Sequence, residues 1–224
     1  MYGKVKLTKR QIKEDKFMTF MLNAKHEILE RWQYYVIGVA AVILIVVAVI
    51  FYFNSQEANL QEASEKFSRA LIDYRSGSDQ VALLGLADVV NNYPDTRAAR
   101  QAAFLLAKIN YESQNYSEAL RYFELFANKY KEDALQRASA LGGIGGCYEN
   151  QGNYAEAARR FAIAANEYPE GPLAGDYRMS AMRNFLLAGD IESARTHLDV
   201  LKEKFAGTTL ERQAVRLFAE KSES

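Results

Sequence analysis

Residues 141–169, LGGIGGCYENQGNYAEAARRFAIAANEYP, decide how this chain folds. Their small and apolar members fall in two blocks, first Leu141, Ile144, Gly145 and Tyr148, then Ala157 and Phe161. Within each block the spacing is three or four residues, which gathers it on one face of an α-helix. A turn at Asn153-Tyr154 separates the blocks, and Pro169 closes the second, where proline can stop a helix without breaking it. The stretch reads as one helical hairpin.

The hairpin recurs along the chain. Moving back 38 residues finds Ala103, Leu106, Ala107 and Asn110, the turn Asn115-Tyr116, then Ala119 and Phe123. Moving forward 37 finds Ala181, Phe185, Gly189-Asp190, Ala194 and Leu198, and a weaker copy at the front places Gly77, Ala82, Leu86 and Pro94 in register. The small alanine lets the second helix pack close against the first, and Phe or Leu four residues later fills the same face. One hairpin cannot bury its apolar face alone, so copies must stack. The pattern resembles the tetratricopeptide repeat, whose W-x2-L-G-x2-Y, A-x3-F, P skeleton is met with Leu141 and Ile144 in place of the tryptophan and first leucine. The resemblance implies an all-α solenoid of about four hairpins. A stripe of Leu210, Ala214 and Leu217 after the last hairpin suits a capping helix.

Ahead of the repeats lies an apolar run, residues 34–53, with no acid or base between Arg31 and Glu57. At about 1.5 Å per residue it spans about 30 Å, the hydrocarbon thickness of a bilayer. Trp32, Tyr34 and Tyr35 at one end and Phe51, Tyr52 and Phe53 at the other suit the two interfaces. Residues 1–33 carry eight Lys/Arg, whereas residues 54–68 carry Lys66 alone. Positive charge stays inside, so the expectation is a cytoplasmic leader (1–33), a single membrane span (34–53) and an extracytoplasmic repeat domain (54–224). A cleaved signal fits less well, because the run is long and no A-x-A-like site follows it. The leader itself reads as a helix capped by Thr8, with Ile12, Phe17, Phe20, Met21, Ala24 and Ile28 near helical spacing; its lysines would suit an anionic leaflet. The first repeat helix, near Asn59 to Tyr74, is expected a few residues after the span.

Charge is split: eight bases against four acids in residues 1–33, and 20 bases against 24 acids in the rest. A mildly acidic outer domain is a poor partner for nucleic acid, which requires a basic patch. The lone cysteine, Cys147, forms no internal disulfide and suits apolar filler. His26 and His197 stand apart, and no HExxH, GxSxG, P-loop or CxxC spacing occurs. No catalytic, cofactor-binding or metal-binding residue is assigned; the expectation is a protein that is not an enzyme and carries no cofactor.

In stacked pairs of this kind the first helices line the concave surface. By register the candidate groove carries Phe104, Lys108, Tyr111 and Glu112, then Gly142, Gly146, Glu149 and Asn150, then Met179 and Arg183, flanked by Phe67, Leu71, Tyr74, Ser139 and Leu186. Gly142, Gly143, Gly145 and Gly146 each cost about 0.8–1.0 kcal/mol against alanine inside a helix, so something must offset them. Close packing between pairs is the favoured reading, and a shallow floor for a partner backbone the alternative. Phe67, Phe104 and Tyr111 suit core more than groove, and Lys108 and Arg183 suit a solvated face.

The layout of basic leader, N-terminal anchor and outward repeats resembles the YfgM-like family of bacterial inner-membrane proteins. That resemblance implies an ancillary subunit of the Sec translocon linked to periplasmic chaperones, with protein partners that include translocon subunits, chaperones or exported chains. The Tyr-Pro-Asp-Thr and Tyr-Pro-Glu-Gly segments at Tyr93 and Tyr168 also look like the repeats of BamD-type lipoproteins and the YbgF-type envelope factor. Those families need a lipidated N-terminal cysteine or a cleaved signal, and the expected uncleaved anchor departs from both. The expected function is a membrane-anchored, non-catalytic adaptor, with a scaffold for envelope assembly or division as the alternative.

Overall fold

The computed structural model describes residues 9–222, with side chains described for 17–21 and 32–222. Among the described residues the order is α1 (Lys9–Arg75), α2 (Asp79–Asn92), α3 (Arg97–Glu112), α4 (Tyr116–Lys129), α5 (Ala134–Asn150), α6 (Tyr154–Glu167), α7 (Ala174–Leu187), α8 (Ile191–Lys204) and α9 (Thr209–Ser222). They divide into two compact units, one up to Ala58 and one from Asn59. The expected cap Thr8 lies outside the described residues.

α1 takes in the described leader, the apolar run and the first repeat helix without a break. The interval expected before Asn59 is absent, because residues 54–58 (NSQEA) contain neither proline nor glycine to end the helix. The apolar part of α1 reaches a mean hydropathy of 3.1 over 18 residues, and none of that surface is buried within the protein. By length and composition it can cross a membrane.

The second unit is a stack of helical hairpins. The end of α1 pairs with α2, then α3 with α4, α5 with α6 and α7 with α8. Each second helix also packs on the first helix of the following pair. Ala82, Ala119, Ala157 and Ala194, spaced 37, 38 and 37 residues apart in the sequence, are fully buried. One core runs from Ala63 through Leu86, Leu106, Phe126 and Ile144. A second forms around Met182, Leu201 and Phe218, and a small cluster of Ala157, Phe161 and Ala181 stands beside them.

The turn inside each hairpin is one device used four times. Gly77, Gly152 and Gly189 have φ near +80°, and the matching residue of the second hairpin is Gln114 at φ 60°. Each follows the last turn of a first helix, and the next residue's N–H reaches back five positions: Ser78 to Asp73, Asn115 to Asn110, Asn153 to Tyr148 and Asp190 to Phe185. This is a Schellman closure, whose left-handed residue is ordinarily glycine. The same next residue starts the second helix, and Asn153 and Asp190 accept from the N–H groups of Glu156 and Ser193. A side chain in the left-handed region costs roughly 1–2 kcal/mol. Gln114→Gly should therefore stabilise the protein by about 1 kcal/mol, read as a higher midpoint in urea unfolding followed by circular dichroism.

The back of the stack is closed, whereas Ile72, Val81 and Leu84 of the first hairpin stay exposed at its front. At the front, Lys66 donates to Asp88 at 2.7 Å and lies over the Tyr93 ring, and these contacts raise its pKa to about 12, the Asp88 hydrogen bond foremost. At the back, α9 packs on α7 and α8. Ala214 and Phe218 are buried there, with Leu210 and Leu217 half-buried beside them, so Phe218 joins the expected stripe. Gly175 admits this contact, since a Cβ there would stand 2.6 Å from Leu210 and 2.9 Å from Phe205.

Candidate protein-binding groove

The first helices α3 and α5 touch each other directly, which puts first helices on the inner side of the stack. On α3 the buried residues are Ala98, Ala99, Ala102, Ala103, Leu106, Ala107, Ile109 and Asn110. What they leave uncovered is a strip through Arg97, Gln101, Phe104, Lys108 and Glu112. That strip is the face the register assigns to the groove.

The polar residues of this face are tied together from pair to pair. Tyr74 donates to Glu112 at 3.3 Å, and Lys108 stands 3.7 Å from the same carboxylate. Asn150 donates to the Tyr111 hydroxyl at 3.0 Å and to the Gly146 carbonyl at 2.8 Å, while Tyr116 donates to the Asn150 carbonyl oxygen at 3.2 Å. Arg183 clasps Glu149 through both Nε and Nη2, at 3.0 and 2.7 Å to one oxygen and 3.0 Å to the other. A bidentate pair of this kind fixes geometry as well as charge. Five of the ten expected groove residues, Tyr111, Glu112, Glu149, Asn150 and Arg183, thus tie neighbouring helices together, and Glu112 and Asn150 remain exposed while doing so; the Lys108 pair with Glu112 lies within α3.

Rings from neighbouring helices sit against the glycines of α5. Gly142 and Gly146 are buried, so they offer no open surface to a partner backbone. A Cβ at Gly142 would stand 2.3 Å from the Tyr177 ring, and one at Gly146 would stand 2.9 Å from the Tyr111 hydroxyl. On the two flanks of α5, Gly143 faces Phe123 at 2.5 Å and Gly145 faces Phe161 at 2.9 Å. Four rings, from α3, α4, α6 and α7, are seated on one glycine-rich helix, and their burial offsets the helical cost of the glycines. Phe104 also turns partly inward, edge-on to Phe123 and Phe126, and Met179 packs on the last core cluster.

Sequence reasoning missed Tyr177. It lies over Gly142, stacks on Phe161 at 6.4 Å and stays partly accessible on the groove side of α7. No spacing rule marks it; its one trace in the sequence is Gly142, which requires a large neighbour. Burial raises the pKa of the Tyr111 and Tyr177 phenols, so both are neutral hydrogen-bonding groups near pH 7. Burial also pushes the Cys147 thiol up to about 12, which makes it inert packing. Among the described residues no group of three or more His, Cys, Asp or Glu is placed to hold a metal ion.

A family model described as a tetratricopeptide repeat-like domain matches residues 29–167, more than half of the chain. The chain belongs to that family. The match begins ahead of the apolar run and ends with α6, so the tetratricopeptide repeat-like pattern takes in both the run and the first three hairpins. Two solved structures share the fold, the nearly identical TPR-like repeats of a putative kinesin light chain of Podosopora anserina and a point variant of the same repeats. They superpose with TM-scores of 0.53 and 0.54 at 14% identity, covering 72% of this chain and 86% and 85% of theirs. No curated protein matches the chain. A fold of this kind ordinarily serves as a protein-binding scaffold without catalysis.

Proposed function

We propose that this tetratricopeptide repeat-like protein is a membrane-anchored, non-catalytic adaptor. Its repeats face the extracytoplasmic side of a bacterial inner membrane and bind protein partners beside the Sec translocon. The observation that carries this reading is the row of polar and aromatic side chains on α3, α5 and α7, laid on a pre-stiffened surface. Rigid presentation lowers the ordering cost that a partner must meet. The location rests on the apolar run and on the excess of Lys/Arg ahead of it. Holding the groove on a membrane raises its effective concentration near a membrane partner. Exported chains and periplasmic chaperones are the partners this reading names, on the strength of the resemblance to the YfgM-like family.

Two measurements on the full-length protein in its membrane test this. Externally added protease should digest the repeats once the outer envelope is opened, and carbonate should leave the protein in the membrane. Protection of the repeats, or release by carbonate, defeats the anchored and outward-facing reading. Affinity capture from solubilised membranes should retain translocon subunits, chaperones or exported chains. Retention of cell-wall or outer-membrane assembly factors alone would favour an envelope scaffold.

A further inference from the structure

His197 lies on α8 with its ring stacked on Phe185 of α7, centroids 5.5 Å apart and planes 25° from parallel. Its Nδ1 atom is buried with no hydrogen-bond partner, and the groove does not use it. The charged group that acts on the ring is Arg178 of α7. Arg178 in turn donates to Asn166 on α6 at 2.9 Å, across the junction between the third and fourth hairpins. The Asn184 carbonyl oxygen on α7 is likewise buried without a partner.

Among the described residues, α7 and α9 are the helices that pack on α8. The other charged groups of α7 are Asp176 and Arg183, and Arg183 is engaged with Glu149. On α9, Glu211 accepts from Gly207, Arg212 donates to Gly207 and Thr209, Arg216 pairs with Glu220, and Lys221 stands in the last turn. On α8 itself the residues one turn away are Ser193, Ala194, Val200 and Leu201, none of which ionises near neutrality.

We propose that His197 is an acid-sensitive latch for the fourth hairpin. Its protonation places a second positive charge beside Arg178, adds a buried N–H without an acceptor, and loosens α7, α8 and α9 from the third hairpin. Neutral imidazole is the form this packing accepts, and burial together with Arg178 holds the ring's pKa below its usual 6.5. A group whose folded pKa is lowered leaves stability unaffected above about 6.5, where both states are neutral. Below that pH the unfolded state takes up its proton first, and stability falls until the folded ring also titrates. Charging this site costs more than charging an exposed histidine, because the buried Nδ1 has no partner to receive the new hydrogen.

Hydrogen exchange of the full-length protein in detergent, corrected for intrinsic rates and compared at neutral and mildly acidic pH, tests the latch. The expected result is a loss of amide protection at acid pH in α7, α8 and α9, while α3, α4 and α5 keep theirs. In His197→Phe, which retains the stacked ring without its charge, that loss should disappear; His197→Leu serves should the larger ring disturb folding. Arg178→Gln should reduce the loss without abolishing it. Unchanged protection in the original chain, or an equal loss in a folded His197 variant, overturns the proposal.

Discussion

Phe126→Ala should lower the stability of the repeat domain by about 3–5 kcal/mol, the range for emptying a buried aromatic site. Phe126 is 1% exposed and is the largest fully buried side chain described. It meets the Phe104 ring edge-on at 5.1 Å and the Tyr130 ring at 5.5 Å. Those neighbours are tied down: the Tyr130 hydroxyl donates to the Pro94 carbonyl at 2.8 Å in the connection before α3. They cannot collapse freely into the space left behind, so the cavity term is retained. Urea unfolding of the full-length protein in detergent, read by circular dichroism, gives the measurement. A loss under about 1 kcal/mol would mean that this part of the core is far looser than the packing indicates.

Gly143→Ala should destabilise the protein even though alanine is the better helix former. The substitution gains about 0.8–1.0 kcal/mol of helix propensity. Against that, its Cβ would stand 2.5, 2.6 and 2.7 Å from three atoms of the Phe123 ring. Phe123 is buried between α3 and α5, so it cannot swing away, and overpacking of this kind costs about 1–3 kcal/mol. The net loss is up to about 2 kcal/mol. Phe123→Leu should give back part of it, and a double-mutant cycle would show the two sites coupled. A stabilised Gly143→Ala protein would show that the glycine answers to something other than the ring.

Much of the fold was legible because tetratricopeptide-type packing repeats itself. Each buried alanine from Ala82 to Ala194 and each aromatic or leucine four residues on could be placed by offset alone, since period and burial have one cause. The junction after the apolar run was less legible. A helix ends where something ends it, and residues 54–58 hold no such signal, so the absence of a breaker had to be read as continuity.

The candidate groove residues were legible as neighbours and obscure as chemistry. Register placed Lys108, Glu112, Glu149, Asn150 and Arg183 together, but sequence spacing alone does not say that Glu149 and Arg183, 34 residues apart, hold each other. Gly142 and Gly146 left two readings open, and the rings that sit against them, Tyr177 and Tyr111, come from neighbouring helices. Nor does the sequence mark Gln114 as left-handed except by its alignment with Gly77, Gly152 and Gly189.

A photo-crosslinking side chain placed at Lys108, exposed on α3 of the inner face, and separately at Arg159, exposed on α6, tests the central claim in intact membranes. The account predicts adducts from Lys108 with a translocon subunit, a periplasmic chaperone or an exported chain, and few or none from Arg159. Equal labelling from both positions, or adducts from Arg159 alone, would contradict it.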